Sequence, residues 1–146
     1  MEARRFYFTV HSASNLVDVR NFGEMKVYAK VSIAGQSECT EVDLVNKTNP
    51  EWNTTLCFFV LEEDIVQEEV PAVIELFCRR SLSHDKYVGE LNLTLHPFYK
   101  GECNFSVHRN DSNQSNSFGT LKFSYELGDQ VLVTLDSSSP SKQTCS

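Results

Sequence analysis

The feature that most constrains the fold is a stretch of strict alternation that begins after Lys26. Every second residue is apolar and compact enough to pack in a core: Val27, Ala29, Val31 and Ile33. Lysine, tyrosine and serine stand between them. A period of two residues places these sets on opposite faces of an extended chain. The pattern therefore predicts a strand with one face in a core and the other in water.

The same kind of pattern recurs along the chain and predicts eight strands. They are expected at residues 6–11, 22–33 (a loop, then a strand from Lys26), 36–44, 52–60, 73–78, 87–95, 102–107 and 119–127. An acidic connector, residues 61–71, has room for a short helical turn. Many short strands without a long amphipathic helix are typical of an antiparallel β-sandwich.

The length and composition indicate one folded unit followed by a tail. A chain of 146 residues is long enough to bury a core without metal or disulfide staples. We expect the domain to cover residues 1–128 and a largely disordered, serine-rich tail to cover 129–146. A short apolar piece, residues 131–135, either packs on the sandwich or makes an outside contact; packing is the commoner use of such residues.

Charge and hydropathy exclude several classes of protein. The net charge of −7 argues against nucleic-acid binding, which needs a basic face. No run of 18 apolar residues is present, so no transmembrane segment is expected. The N-terminus lacks an apolar signal-peptide core, which favours the cytoplasm and five free cysteine thiols. A monomer is expected.

The residues do not combine into a catalytic motif. The four histidines occur singly, without metal-binding spacing. Cys78, beside Arg79 and Arg80, is the one candidate for an acidified thiol. It shares strand parity with Ile74 and Leu76, which favours a buried, inert side chain. We therefore predict no enzymatic activity and no catalytic residues.

Four motifs in register resemble a C2 domain, in particular the small single-domain plant C2 proteins of the cold-regulated type. They lie at residues 13–31, 48–53, 79–90 and 119–125. The second contains Asn49, Pro50 and Trp52, and it predicts a turn followed by an inward-facing tryptophan. The fourth stands at the C-terminal end, which by resemblance implies the permuted, type II strand order. The resemblance also implies a signalling module, plausible in plant stress responses.

The resemblance implies calcium-binding carboxylates in the first and third loops, but few of them are present. Asp18 and Asp85 remain, whereas Lys26 and Arg79 stand where acidic residues are expected. Calcium prefers six to eight oxygen ligands including several carboxylates, and fixed cations repel it. We predict a calcium-independent domain with no metal site and no cofactor; any calcium binding would be weak.

The same substitutions predict a basic surface with apolar tips. The residues expected to converge at one end of the sandwich are Arg20, Phe22, Lys26, Arg79, Arg80, Leu82 and Lys86. Cations beside exposed apolar side chains suit an anionic phospholipid surface, and they predict a protein located peripherally at a membrane.

Two alternatives stay open at this point. In one of them, Phe22 and Leu82 fold back onto the core, and the cations are merely solvated or pair with Glu24 and Asp85. In the other, the chain is a soluble adaptor or stress-signalling domain that binds a protein partner through a sheet edge or the acidic connector.

Overall fold

The computed structural model describes residues 2–20, 22–110 and 118–132, which form two β-sheets and one short helix. The elements are β1 (Glu2–Ser14), β2 (Val27–Ile33), β3 (Gln36–Cys39), β4 (Glu51–Leu61), α1 (Glu62–Val66), β5 (Val70–Cys78), β6 (Lys86–Leu95), β7 (Glu102–Ser106) and β8 (Thr120–Leu132). All strand pairs are antiparallel. The predicted all-β, eight-stranded sandwich is confirmed, and so is a helical turn in the acidic connector.

The strand order places the first and last strands in the middle of one sheet. One sheet has the order β4-β1-β8-β7 and the other β3-β2-β5-β6. The last strand thus lies between the first strand and β7, as the type II order requires. β1 and β8 are 13 residues long each, and their pairing runs from Glu2 opposite Leu132 to Ser14 opposite Thr120.

The core lies between the sheets and uses the predicted inward faces. The alternating residues of β2 are at most 1% exposed. Phe8 and Phe123 from the facing sheet stack with ring centroids 5.0 Å apart. Val31 and Leu76 are fully buried, as expected. Cys78 is also fully buried, which confirms that it faces the core.

Tyr28 departs from the prediction that the outer face of β2 is wet. It is 5% exposed although it alternates with the core residues. Phe77 on the neighbouring strand stacks against it at 5.7 Å, and the Tyr28 hydroxyl donates to Asp85 Oδ2 at 2.5 Å. Burial, followed by the bond to this carboxylate, raises the pKa of Tyr28. A cross-strand aromatic pair thus covers the outer face near the third loop.

Trp52 faces inward but is less enclosed than the sequence indicated. It is partly buried, packs against the core and donates from Nε1 to the Val27 carbonyl at 3.0 Å. Its place near the start of β4, an edge strand of its sheet, explains the partial burial. The preceding Asn49 side chain accepts a hydrogen bond from the Asn15 amide at 2.9 Å.

Most strand boundaries differ from the sequence prediction by a few residues, and three of them border the loops or the predicted tail. β2 begins at Val27, one residue after the predicted start at Lys26, and the loop predicted before it is present. β3 ends at Cys39, and the residues up to 50 form a loop. β8 continues to Leu132, four residues past the predicted domain boundary at 128. The remainder of the predicted tail and of the apolar piece, residues 133–146, lies outside the described residues.

The cysteines agree with expectation at three positions. Cys57, Cys78 and Cys103 are free thiols. Cys39 is disulfide-bonded, so the prediction of a free thiol is wrong there. Cys145 lies outside the described residues, as do residues 111–117 of the predicted solvated loop. Within the described ranges, every helix is too short or too polar to cross a membrane.

Candidate functional site

Three loops meet at one end of the sandwich, which we call the loop end. Loop 1 is residues 15–26, loop 2 is 40–50 and loop 3 is 79–85. Backbone hydrogen bonds tie them together: the Leu16 amide donates to Thr48 at 3.0 Å, and the Arg79 amide donates to Lys26 at 2.8 Å. The antiparallel order of the strands therefore makes one continuous surface from three separate segments.

Strand register sets the basic residues of this surface side by side. Val27 is opposite Cys78, and Cys78 is opposite Lys86. Lys26 and Arg79 directly adjoin this row. The side chains of Lys26, Arg79 and Lys86 have no hydrogen bond or ion pair to any described residue. We call these three cations, which occupy adjoining backbone positions at the loop end and lack a partner among the described residues, the cation row.

Apolar side chains project from the tips of the loops. Phe22 of loop 1 is 86% exposed and Leu82 of loop 3 is 98% exposed. This geometry does not support the alternative in which both residues fold back onto the core.

Loop 2 adds apolar residues that the sequence analysis missed. Leu44 is 53% exposed and Val45 is 77% exposed. The strand predicted over residues 36–44 includes Leu44, whereas the structure ends β3 at Cys39 and places both residues in a loop. The turn residues that follow, from Asn46 to Pro50, were the available signal that a loop begins here.

Loop 2 is organised by Asp43, whose importance the sequence analysis also missed. Its Oδ1 accepts from the amides of Val45 (2.8 Å) and Asn46 (2.7 Å), and its Oδ2 accepts from the Asn46 side chain (2.8 Å) and the Glu51 amide (2.9 Å). Burial raises the pKa of Asp43, but the hydrogen bonds outweigh burial and lower the pKa to about 2. The ionised carboxylate therefore fixes the shape of the loop.

Arg20 is engaged within the protein, unlike the other loop-end cations described above. Its Nε donates to the Phe22 carbonyl at 2.9 Å, and its Nη1 donates to the Arg79 carbonyl at 3.2 Å. The Arg20 backbone amide donates to Asp18 Oδ1 at 2.9 Å. The guanidinium thus connects loop 1 to loop 3.

Arg80 and Asp85 organise loop 3 from within. Asp85 Oδ1 accepts from the Arg80 amide at 3.2 Å, while its Oδ2 accepts from Tyr28. Arg80 Nη1 donates to the Ser83 hydroxyl at 3.3 Å, and its buried Nε has no partner in the described part of the chain. Asp18 and Asp85, the two acids that remain at the calcium-ligand positions implied by the resemblance, thus accept hydrogen bonds from the protein itself.

The remaining acidic residue of loop 1 pairs away from the cation row. Glu24 contacts Lys47 of loop 2, with 3.4 Å between Oε1 and Nζ. Both side chains are more than half exposed, so this ion pair contributes little stability. Among the described residues, no three histidine, cysteine, aspartate or glutamate side chains are grouped to hold a metal.

A cavity of about 420 Å³ opens at the opposite end, between β6 and β7. Leu93, Leu95, Tyr99, Cys103 and Tyr125 are among the residues that line it. Burial raises the pKa of the Cys103 thiol, against a smaller lowering by Tyr99. A protonated thiol is a poor nucleophile, so Cys103 is unsuited to nucleophilic catalysis.

Comparison with known proteins identifies the architecture. A family model described as C2 domain matches residues 4–104. Protein SRC2 of Glycine max is 30% identical over 141 residues, which cover 90% of this chain and 48% of that protein. The chain therefore spans about half the length of this curated relative.

Solved structures share the fold at low sequence identity. A C2 domain of plant extended synaptotagmin 1 has a TM-score of 0.69 and 16% identity, covering 86% of this chain and 94% of that chain. A C2 domain-containing protein from a putative elicitor-responsive gene has a TM-score of 0.64 and 20% identity, covering 97% of this chain and 94% of that chain. The predicted resemblance to plant C2 proteins is confirmed, and the chain belongs to the C2 domain family of lipid- or protein-binding modules.

Proposed function

We propose that this C2 domain is a non-enzymatic, calcium-independent module that binds an anionic membrane surface through its loop end. The observation that carries the proposal is the exposure of Phe22, Val45 and Leu82 at the tips of three adjoining loops. An apolar tip on each loop, backed by unpaired cations, matches the layered chemistry of a bilayer surface. Six of the seven predicted residues bind the surface, supplemented by Leu44 and Val45: Phe22, Lys26, Arg79, Arg80, Leu82 and Lys86. The seventh, Arg20, holds loops 1 and 3 together.

The magnitudes are sufficient for reversible binding. Each basic residue near an anionic surface contributes about 1 kcal/mol. The three unpaired cations, Lys26, Arg79 and Lys86, therefore supply about 3 kcal/mol. Full burial of a leucine or phenylalanine side chain contributes about 1.5 to 3 kcal/mol, and partial insertion contributes less. Charge and insertion together support weak, salt-sensitive association.

The distribution of charge favours one orientation of the domain. The connector that contains α1 lies at the end opposite the loop end, and its carboxylates are Glu62, Glu63, Asp64, Glu68 and Glu69. An anionic surface repels this end and attracts the cation row. The net charge of −7 is thus compatible with membrane binding that uses the loop end alone.

Calcium independence is supported by the use of the remaining carboxylates. Asp18 and Asp85 accept hydrogen bonds from the protein, and the side chains of Lys26 and Arg79 lie in the same loops. Calcium takes six to eight oxygen ligands, several of them carboxylates. Two carboxylates with two cations in the same loops do not meet that requirement. We place the protein, as a monomer, at the cytoplasmic face of a membrane.

A second candidate function is protein binding through the acidic connector. Val66 is 76% exposed there, beside the exposed carboxylates of Glu68 and Glu69. An apolar residue surrounded by acids suits a basic, amphipathic peptide. This function predicts that vesicles of any charge leave the protein in solution.

Co-sedimentation with vesicles tests the proposed function. The wild type should bind vesicles that contain anionic phospholipid in a calcium chelator, and binding should fall steeply as salt rises. Reversal of Arg79, Arg80 and Lys86 to glutamate should abolish most of this binding.

The matched control reverses Arg5, Lys30 and Lys100, which lie away from the loop end, and changes the net charge by the same amount. Equal loss of binding in both triple variants would show that net charge, rather than the loop end, governs association. Binding of the wild type to neutral and anionic vesicles alike would also contradict the proposal.

A further inference from the structure

Arg20 differs from the other basic residues of the loop end in what its side chain contacts. Its guanidinium donates to backbone carbonyls of two different loops: Phe22 in loop 1 at 2.9 Å and Arg79 in loop 3 at 3.2 Å. Lys26 and Arg79, by contrast, direct no side-chain hydrogen bond to any described residue. Arg20 therefore uses its charge inside the protein.

The surrounding residues are arranged to hold Arg20 in this position. Asp18 Oδ1 accepts from the Arg20 backbone amide at 2.9 Å, which forms a tight turn at the start of loop 1. Gly23 has φ of +78°, and a Cβ atom there would lie 2.9 Å from Arg20 Nη2. A glycine thus leaves the space that the guanidinium fills.

A guanidinium suits this task for a geometric reason. It presents several N–H donors in a rigid plane, so that one side chain reaches two acceptors in different directions. A lysine ammonium carries the same charge but is a compact point on a flexible stem.

We propose that Arg20 is an internal strut that joins loop 1 to loop 3 and keeps the loop end assembled without a metal ion. The proposal deepens the proposed function and rests on it for its consequence in membrane binding. Because Arg20 is part of the chain, it keeps the loop end ready to bind a membrane at all times. Loops joined by a bound ion would be ready only while the ion is present. Arg20 is then a positioning residue rather than a contact for lipid.

The substitution Arg20→Lys separates these two roles, because it keeps the positive charge and removes the planar guanidinium with its several donors. Arg79→Lys is the matched control, since it makes the same change at the same end of the domain. A lipid-contact role predicts that both variants bind anionic vesicles as the wild type does. A strut predicts that Arg20→Lys alone weakens binding, by about three- to tenfold.

Amide hydrogen exchange supplies a readout that needs no membrane. The Arg79 amide, which donates to Lys26 at 2.8 Å, reports contact between loops 1 and 3. The Leu16 amide, which donates to Thr48 at 3.0 Å, is the internal reference. In Arg20→Lys the protection of the Arg79 amide should fall about tenfold, the equivalent of about 1.4 kcal/mol, while that of Leu16 should stay within about twofold.

Gly23→Ala gives an independent test, since it displaces the guanidinium and leaves Arg20 in place. It should reproduce the exchange behaviour of Arg20→Lys, and protection of the β2 and β5 amides verifies that each variant is folded.

Unchanged protection of the Arg79 amide in Arg20→Lys would overturn the strut. Lost protection with undiminished vesicle binding would overturn its link to membrane association. Lost protection in a protein whose wild type binds no vesicles would refute the proposed function and leave the strut intact.

Discussion

Replacing Asp43 by asparagine tests how loop 2 is held. The four hydrogen bonds that Asp43 accepts lower its pKa from the ordinary value of 3.8 to about 2, in spite of burial. A pKa shift of one unit corresponds to 1.36 kcal/mol. After a small reduction for solvent screening, the ionised side chain stabilises the fold by about 2 kcal/mol at neutral pH.

The dependence on pH follows from the direction of the shift. A carboxyl group whose pKa is lower in the folded than in the unfolded state contributes its full stability above the unfolded value, near 4. This contribution declines as pH falls toward 2, where the folded carboxylate also takes up a proton. An asparagine at this position would lack it at every pH. The difference in unfolding free energy between wild type and Asp43→Asn should thus shrink between pH 4 and pH 2.

Urea unfolding measured from pH 7 down to pH 2.5 gives this difference directly. We expect about 2 kcal/mol at pH 7, or slightly more, because the asparagine amide would turn an N–H toward a donor. Glu24→Gln is the control, since this exposed residue should change stability by less than about 0.5 kcal/mol. A difference below about 0.5 kcal/mol for Asp43→Asn, or one independent of pH, would refute the reasoning.

Two further predictions concern the loop end. The double change Lys26→Asp and Arg79→Asp removes two cations and adds two carboxylates to the loops that contain Asp18 and Asp85. Weak calcium binding should then appear as a calcium-dependent rise in melting temperature, whereas the wild type should show none. A micromolar calcium response in the wild type would contradict the account. Tyr28→Phe removes a hydrogen bond to the Asp85 carboxylate and should lower the unfolding free energy by about 1.5 kcal/mol. Tyr99→Phe, which loses a 3.4 Å contact at an exposed site, should change it by less than about 0.5 kcal/mol.

The sequence was sufficient for the architecture because burial follows strand parity. The alternation from Val27 to Ile33 determines which face of β2 enters the core, and a shift by one residue would place a lysine there. The same logic correctly placed Cys78 and Leu76. It failed for Tyr28, because the partners that bury this residue, Phe77 and Asp85, come from a strand and a loop that are distant in the sequence.

The candidate site was harder to predict than the fold, since loop contacts have no period. The sequence placed Phe22 and Leu82 on loops but did not indicate whether they point outward. Arg20 looked like Arg79 in the sequence, although the structure gives one an internal role and leaves the other's side chain unpaired among the described residues. Asp43 was read as an ordinary strand residue, because its partners are backbone amides that become available only when loop 2 turns.

Depth-dependent fluorescence quenching tests the central claim most directly. A tryptophan introduced by Leu82→Trp probes the loop end. Phe98→Trp, in the turn after β6 at the opposite end, is the control. Both positions are exposed, and both variants carry the same background fluorescence from Trp52. With anionic vesicles that contain brominated lipid and a calcium chelator, Leu82→Trp should shift to the blue and be quenched, while Phe98→Trp should behave as in buffer. Equal quenching of both variants, or quenching of Leu82→Trp only after calcium is added, would contradict calcium-independent binding through the loop end.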